Sequence, residues 1–263
     1  MPLKMPRTAA FAVVLTVFAV TPALSQVTVD SLLERIISAD NRDQYELTAE
    51  FQADLLLVFS GRRMRGHATG MLRESRRAGE PRRWKITVQR LDLPLLLRPF
   101  ANTLRSLIED RAESQSQSLE TFNSHDFFIQ DEGAGRYVLV GLRRDVVDEA
   151  IDRYGKPADR QDPETRRRIA RWLFASTSMR DFVVRSGPPY ALRLVVDEQG
   201  VVYENVLFYN WGQAVTKITY INVGSRPAWH DVESTFNSDV SGLGHIEGQL
   251  LLQIRNYTLT LLR

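Results

Sequence analysis

The side chains able to do chemistry are few and scattered. Four histidines are present, His67, His125, His230 and His245, and none shares a metal-ligand spacing with another. His245 and Glu247 form a lone His-x-Glu, too little to define a metal site. The chain has no cysteine, so neither a thiolate ligand, a thiol nucleophile nor a disulfide is available. Hydrolytic serine chemistry would need a Gly-x-Ser-x-Gly turn or a Ser-x-x-Lys with its supporting motifs, and neither occurs. Gly133-Ala134-Gly135 lies inside a hairpin pattern and lacks the following helix that phosphate binding uses. Asp145, Asp148, Glu149 and Asp152 fall on the wet side of a helical stretch. The expectation is a protein without catalytic residues, metal or cofactor.

The remaining charged feature is a basic hairpin. Ten Lys and Arg residues between positions 62 and 90 face only Glu74 and Glu80. Such a cluster contacts anionic headgroups or an acidic partner, or else it is a solvated face paired with acids from 109–132. The formal charge of +2 does not extend the argument to nucleic acid. Residues 1–25 read as a secretory signal: Lys4 and Arg7, an apolar run over 9–20, then the small-x-small site Ala23-Leu24-Ser25. Cleavage after Ser25 leaves Gln26 first and removes two of the 34 basic residues, which then equal the 32 acidic ones. The expectation is an exported, periplasmic protein held together by core burial, with no lipid-modified cysteine of its own.

Residues 26–263 form one domain, since no linker or repeat interrupts them. Residues 29–39 carry Leu32, Leu33, Ile36 and Ile37 on one helical face, with Asp30 or Ser31 as N-cap. From Leu47 the chain alternates: Ala49, Phe51, Ala53, Leu55, Leu57 and Phe59 face one way, and Glu46, Thr48, Glu50, Gln52 and Asp54 the other. That is long for one strand, which predicts bending. After Ser60-Gly61 a second strand places Met64, Gly66, Ala68, Gly70 and Leu72 on one face. A third sets Trp84, Ile86 and Val88 against Arg83, Lys85 and Thr87. The apolar segment Leu93-Pro94-Leu95-Leu96-Leu97 is either buried or a contact surface. Helical tendency over 103–118 fades into a Ser/Gln loop. A hairpin over 125–142 follows, then a helical insertion at about 143–186. In it Val146, Val147, Ala150 and Ile151 form one stripe, while Asp162-Pro163 caps a second helix with Ile169, Trp172, Leu173 and Phe174 on its apolar side. A three-strand meander spans 190–223, with turns at Asp197-Glu198-Gln199-Gly200 and Asn210-Trp211-Gly212-Gln213. Two or three closing strands lie near 232–236, 248–254 and 257–262.

This order, with LTAEFQADL, GHATGML, RRWKITV and HDFFIQDEGAGRYVLV leading into the meander, resembles the LolA-like superfamily of periplasmic lipoprotein and lipid carriers over residues 30–223. The resemblance implies a mainly β fold: an antiparallel sheet curled into an unclosed barrel, helices covering the opening, and an apolar cavity that holds acyl chains. It places Arg76 near an arginine that carrier members use in lipoprotein binding and release, although the adjoining proline is missing here. The helical insertion is a further departure. In some relatives the same fold serves envelope stress sensors that bind a membrane protein, so the basic hairpin and the LPLLL segment become alternative partner surfaces.

The expected cavity lining is Phe51, Gly66, Ala68, Gly70, Arg76, Trp84, Ile86, Tyr137, Leu139, Trp172, Phe174 and Leu194. Small residues on the second strand leave room, wide aromatics wall it, and the insertion helix covers the opening. Acyl chains bind such walls by area, at about 0.8 kcal/mol per buried methylene. The competing reading is an ordinary filled core.

Overall fold

A computed structural model describes residues 27–38, 44–76, 83–102, 105, 109, 122–133, 135–176, 189–210, 212–224, 226–240 and 244–262. The signal segment and most of the 103–118 helical tendency lie outside them, as do the side chains of Arg76 and Trp84. Three α-helices are described, α1 (Val29–Ser38), α2 (Arg144–Tyr154) and α3 (Pro163–Ala175). No helix among the described residues is long and apolar enough to cross a membrane.

The strands are β1 (Tyr45–Phe59), β2 (Arg62–Arg76), β3 (Arg83–Asp92), β4 (His125–Gly133), β5 (Arg136–Arg143), β6 (Ala191–Asp197), β7 (Val202–Tyr209), β8 (Gly212–Val223), β9 (Arg226–Val240) and β10 (Gly244–Leu261). They make one antiparallel sheet of ten strands in the order β3-β2-β1-β10-β9-β8-β7-β6-β5-β4. Two meanders, β1 to β3 and β4 to β10, are joined where β10 pairs with β1, Tyr45 opposite Leu261. The sheet does not close, because β3 and β4 are its two edges. This is the unclosed antiparallel architecture that the resemblance implied.

Both edges are blocked by side chains. On β3 the Val88 amide donates to the Glu109 carboxylate at 2.9 Å, and on β4 the Ile129 carbonyl accepts from Arg171 of α3 at 3.0 Å. Each contact occupies a backbone group that would otherwise template a further strand.

Cross-strand pairing defines two faces of the sheet. The inner face, on which α1 packs, carries Ala49, Phe51 and Ala53 of β1, Ala68 and Leu72 of β2, Ile86 and Val88 of β3, Val232 of β9 and Leu252 and Ile254 of β10 as one buried cluster. Further along the same face Leu139, Leu192, Leu194 and Val196 bury against Leu32 of α1. On the outer face Phe128, Val140, Leu142 and Ala191 pack against α2 and α3. The insertion therefore has its own core on the side opposite α1.

Local details correct the sequence reading at the start of α1 and decide it at the closing strands. Thr28 begins α1: its Oγ1 accepts from the Ser31 amide at 3.2 Å while Ser31 Oγ accepts from the Thr28 amide at 3.1 Å. The reciprocal pair satisfies donors that Asp30 or Ser31 as cap would leave open. The closing strands are two, because Asn256 adopts φ +57° inside β10 and bulges it without ending it. Its amide donates to Glu50 at 2.7 Å, which ties the bulge to β1. Asparagine tolerates this left-handed backbone; replacement by valine should cost about 1–2 kcal/mol more than replacement by glycine, which loses only the Glu50 hydrogen bond, measured by urea unfolding.

The turn after β6 follows expectation. The Asp197 carboxylate accepts from the Gln199 and Val201 amides, each at 2.9 Å, and Gly200 takes φ +87°. A Cβ there would stand 2.6 Å from the Arg35 backbone, so glycine is what lets α1 sit on this turn.

Candidate functional site: a trough on the inner face

The inner face is not uniformly sealed. Where α1 covers it and where β1, β2 and β3 meet, side chains are buried. Across the far half of β1 and over β10, β9, β8 and β7 they are only half-buried: Leu55, Leu57, Leu250, Phe236, Ala214, Ile218 and Leu207. Pairing places them on one side, with Leu250 opposite Leu55, Ser234 opposite Leu250 and Thr216 opposite Ser234. These strands offer a half-buried apolar surface, the candidate floor of a trough; Ile218 and Leu250 also pack on the β1–β3 cluster and Leu207 on the α1 cluster.

The floor holds one polar row. Asn205, Thr216 and Ser234 are direct cross-strand neighbours on β7, β8 and β9. The Thr216 and Ser234 hydroxyls lie 3.0 Å apart. The Asn205 amide oxygen is buried and has no hydrogen-bond partner.

The glycine-rich stripe does not open space. Phe51 stands opposite Gly70, and a Cβ on Gly70 would lie 2.7 Å from its ring. Phe127 covers Gly141 in the same way, and Phe236 covers Gly248. Three times on one face a phenylalanine folds over the glycine across from it, filling the gap and letting the strands bend. Gly66 is covered too, by the Leu93 side chain at 2.8 Å from where its Cβ would be. Leu93 belongs to the apolar LPLLL segment, and Leu95, two residues on, is 75% exposed.

The structure brings Phe51, Ala68 and Ile86 together in the β1–β3 cluster with Gly70 beside them. Leu139, Leu194 and Tyr137 share the inner face but pack with α1. The sheet separates Trp172 and Phe174 from all of these. Phe174 meets Phe128 and Phe208 on the outer face, with ring centroids 6.2 and 5.7 Å away. Trp172 is 49% exposed and packs edge-to-face on Tyr154 at 5.8 Å; Ala170 and Leu173 take the buried side of α3 instead. Of the residues that sequence reasoning missed, Asn205 and Thr216 sit on the last two strands of the meander and Ser234, Phe236 and Leu250 on the closing strands, where strand alternation is their only signal.

A concavity lies on the outer face. This half-open groove of about 310 Å³ is lined by Leu56, Val58 and Val215 with Gln213, Thr235, Asn237, Glu247 and Gln249. The run Leu55 to Phe59 is half-buried throughout, so β1 presents apolar side chains to both faces.

The charged groups act structurally. Arg166 of α3, 12% exposed, donates to both oxygens of Asp126 on β4, the shortest contact being 2.7 Å, and to Asp148 of α2 at 2.6 Å. Those carboxylates raise its pKa above the ordinary value, the Asp126 hydrogen bonds most, against the opposing effect of burial. Two further acids of the insertion are paired, Asp152 with Arg160 and Glu149 with Arg153. In the basic hairpin Arg73 pairs with Glu46 of β1 at 2.9 Å and Arg90 with Asp92 of β3 at 2.7 Å. Tyr257 is pushed far above its ordinary pKa, first by burial and then by the Glu74 carboxylate, and its hydroxyl donates to the Trp229 carbonyl. No group of three or more metal-ligating side chains occurs among the described residues.

No family model and no curated protein matches the chain. Solved structures similar to it include an outer membrane lipoprotein-sorting protein domain from Vibrio parahaemolyticus, at 8% identity and TM-score 0.39, covering 87% of this chain and 91% of that one. A DUF1329 family protein from Desulfovibrio piger has 8% identity and TM-score 0.39, covering 86% and 89%. MucB, in the Pseudomonas aeruginosa MucA/MucB complex, has 9% identity and TM-score 0.22, covering 85% and 93%. Likenesses this weak decide nothing about ligand or partner.

Proposed function

We propose that this protein is an exported, periplasmic carrier that holds the acyl chains of a lipid or lipoprotein in the inner trough and passes them to an acceptor. The observation that carries the reading is the half-buried apolar floor over β7–β10 and the far half of β1, with Leu55, Leu57, Phe236 and Leu250 facing one side of an unclosed sheet. An apolar surface of this kind gains free energy from any chain that replaces water. No covalent step is needed: transfer follows when the acceptor binds the guest more favourably.

Lipid extraction of the purified protein followed by mass spectrometry should recover acyl lipid near stoichiometry. Leu250→Arg, on the floor, should lower recovery: loss of contact with two methylenes costs about 1.6 kcal/mol, or about 15-fold in affinity. Leu251→Arg, the next residue and on the outer face, should leave it unchanged. Equal effects of the two substitutions count against the trough.

A second reading, an adaptor for a protein partner, has its own observation. Trp172 and Tyr154 form an aromatic pair exposed on the outer helices, and Leu95 is exposed as well. A partner protein would cover such anchors. A pull-down that returns one dominant protein and no lipid favours it.

A further inference from the structure

The polar row in the trough floor has more hydrogen-bonding capacity than the protein uses. Asn205, Thr216 and Ser234 stand side by side on β7, β8 and β9, with apolar neighbours around them. The two hydroxyls spend one proton on their mutual 3.0 Å contact, which leaves the other proton free to donate. The Asn205 oxygen accepts nothing. Burying an unpaired amide oxygen is unfavourable, and turning the amide toward a guest breaks no bond that oxygen now makes. One spare donor and one spare acceptor thus lie a strand spacing apart in an apolar channel. A plain hydrocarbon leaves both unused.

We propose that the Asn205–Thr216–Ser234 row selects acyl chains whose carbonyl adjoins an O–H or N–H donor, such as monoacylglycerols and N-acyl groups, over chains ending in acceptors alone. The guest carbonyl accepts from the hydroxyl pair, and the guest donor goes to the Asn205 oxygen. This rests on the trough being the acyl site.

The test compares monolaurin with methyl laurate, which share one chain length and differ in donors, by displacement of a fluorescent fatty-acid probe from the full mature chain. The wild type should prefer monolaurin about tenfold, the effect of one well-placed buried hydrogen bond. Asn205→Leu should bring the ratio close to one, because only monolaurin has a donor for that oxygen, whereas the double variant Thr216→Val/Ser234→Ala, which removes the donors to the carbonyl that both compounds share, should weaken both and keep the ratio. Ligand-free Asn205→Leu should melt no lower than wild type, since it removes an unpaired oxygen. Equal affinities in the wild type, or a preference that survives Asn205→Leu, overturns the selection while the trough stands. Failure of either compound to bind removes the acyl site and this inference with it.

Discussion

Gly70→Ala should destabilise the protein by about 3 kcal/mol, at the upper end of overpacking costs. The added methyl would stand 2.1 Å from the Thr87 carbonyl and 2.7 Å from the Phe51 ring. The first obstacle is backbone, at a register shift between β2 and β3, so no side-chain rotation relieves it. Shrinking Phe51 to leucine therefore should not rescue Gly70→Ala. Gly248→Ala is the contrast. Its methyl meets the ring atoms of Phe236, 1.9 Å from the nearest, but that ring is half-buried beside the trough and can swing aside. About 1 kcal/mol is expected there, with Phe236→Leu recovering most of it. Urea unfolding of the four variants checks the pattern. A Gly70→Ala protein as stable as wild type would mean that the Phe51 seat is not the packed element described.

Asp126→Ala should cost about 3–5 kcal/mol, confined to the insertion. Asp126 is 9% exposed and takes both donors of Arg166 while Arg144 lies 3.6 Å away. Truncation leaves Arg166, itself nearly buried, with Asp148 and the Arg160 carbonyl on the far side. Asp126→Asn, which keeps the shape and loses the charge, should cost about half as much. Hydrogen exchange gives the readout: amides of α3 should lose protection while those of β1 and β10, held by their own pairing on the opposite side of the sheet, keep theirs. If α3 amides exchange at the wild-type rate, the Arg166 network is not what docks the insertion.

Much of this architecture was legible in the amino-acid order. The alternation from Leu47 gave β1 and its inward set, the Asp197–Gly200 turn gave the β6–β7 hairpin, and Asp162-Pro163 gave the start of α3. What escaped depends on partners distant in sequence. Nothing beside Gly70 announces that Phe51 covers it; only the β1–β2 register does. Small residues look like room when the ring that fills the room lies on another strand. Trp172 was placed on the apolar side of α3, yet Ala170 fits the close approach to the sheet and the larger ring is turned out. The trough floor escaped for a different reason. Ala214, Thr216 and Ser234 are small or polar, so hydrophobic pattern alone passes over residues whose importance comes from standing in one row.

The chain has no cysteine, so a single introduced thiol reports one position. Ala214→Cys places it on the trough floor, and Val215→Cys, the adjacent residue, places it in the outer groove. With laurate at about ten times its Kd, reaction of the first thiol with a maleimide should slow about tenfold while the second is unaffected. Protection at Val215→Cys and not at Ala214→Cys, or at neither, contradicts an acyl chain held on the inner face.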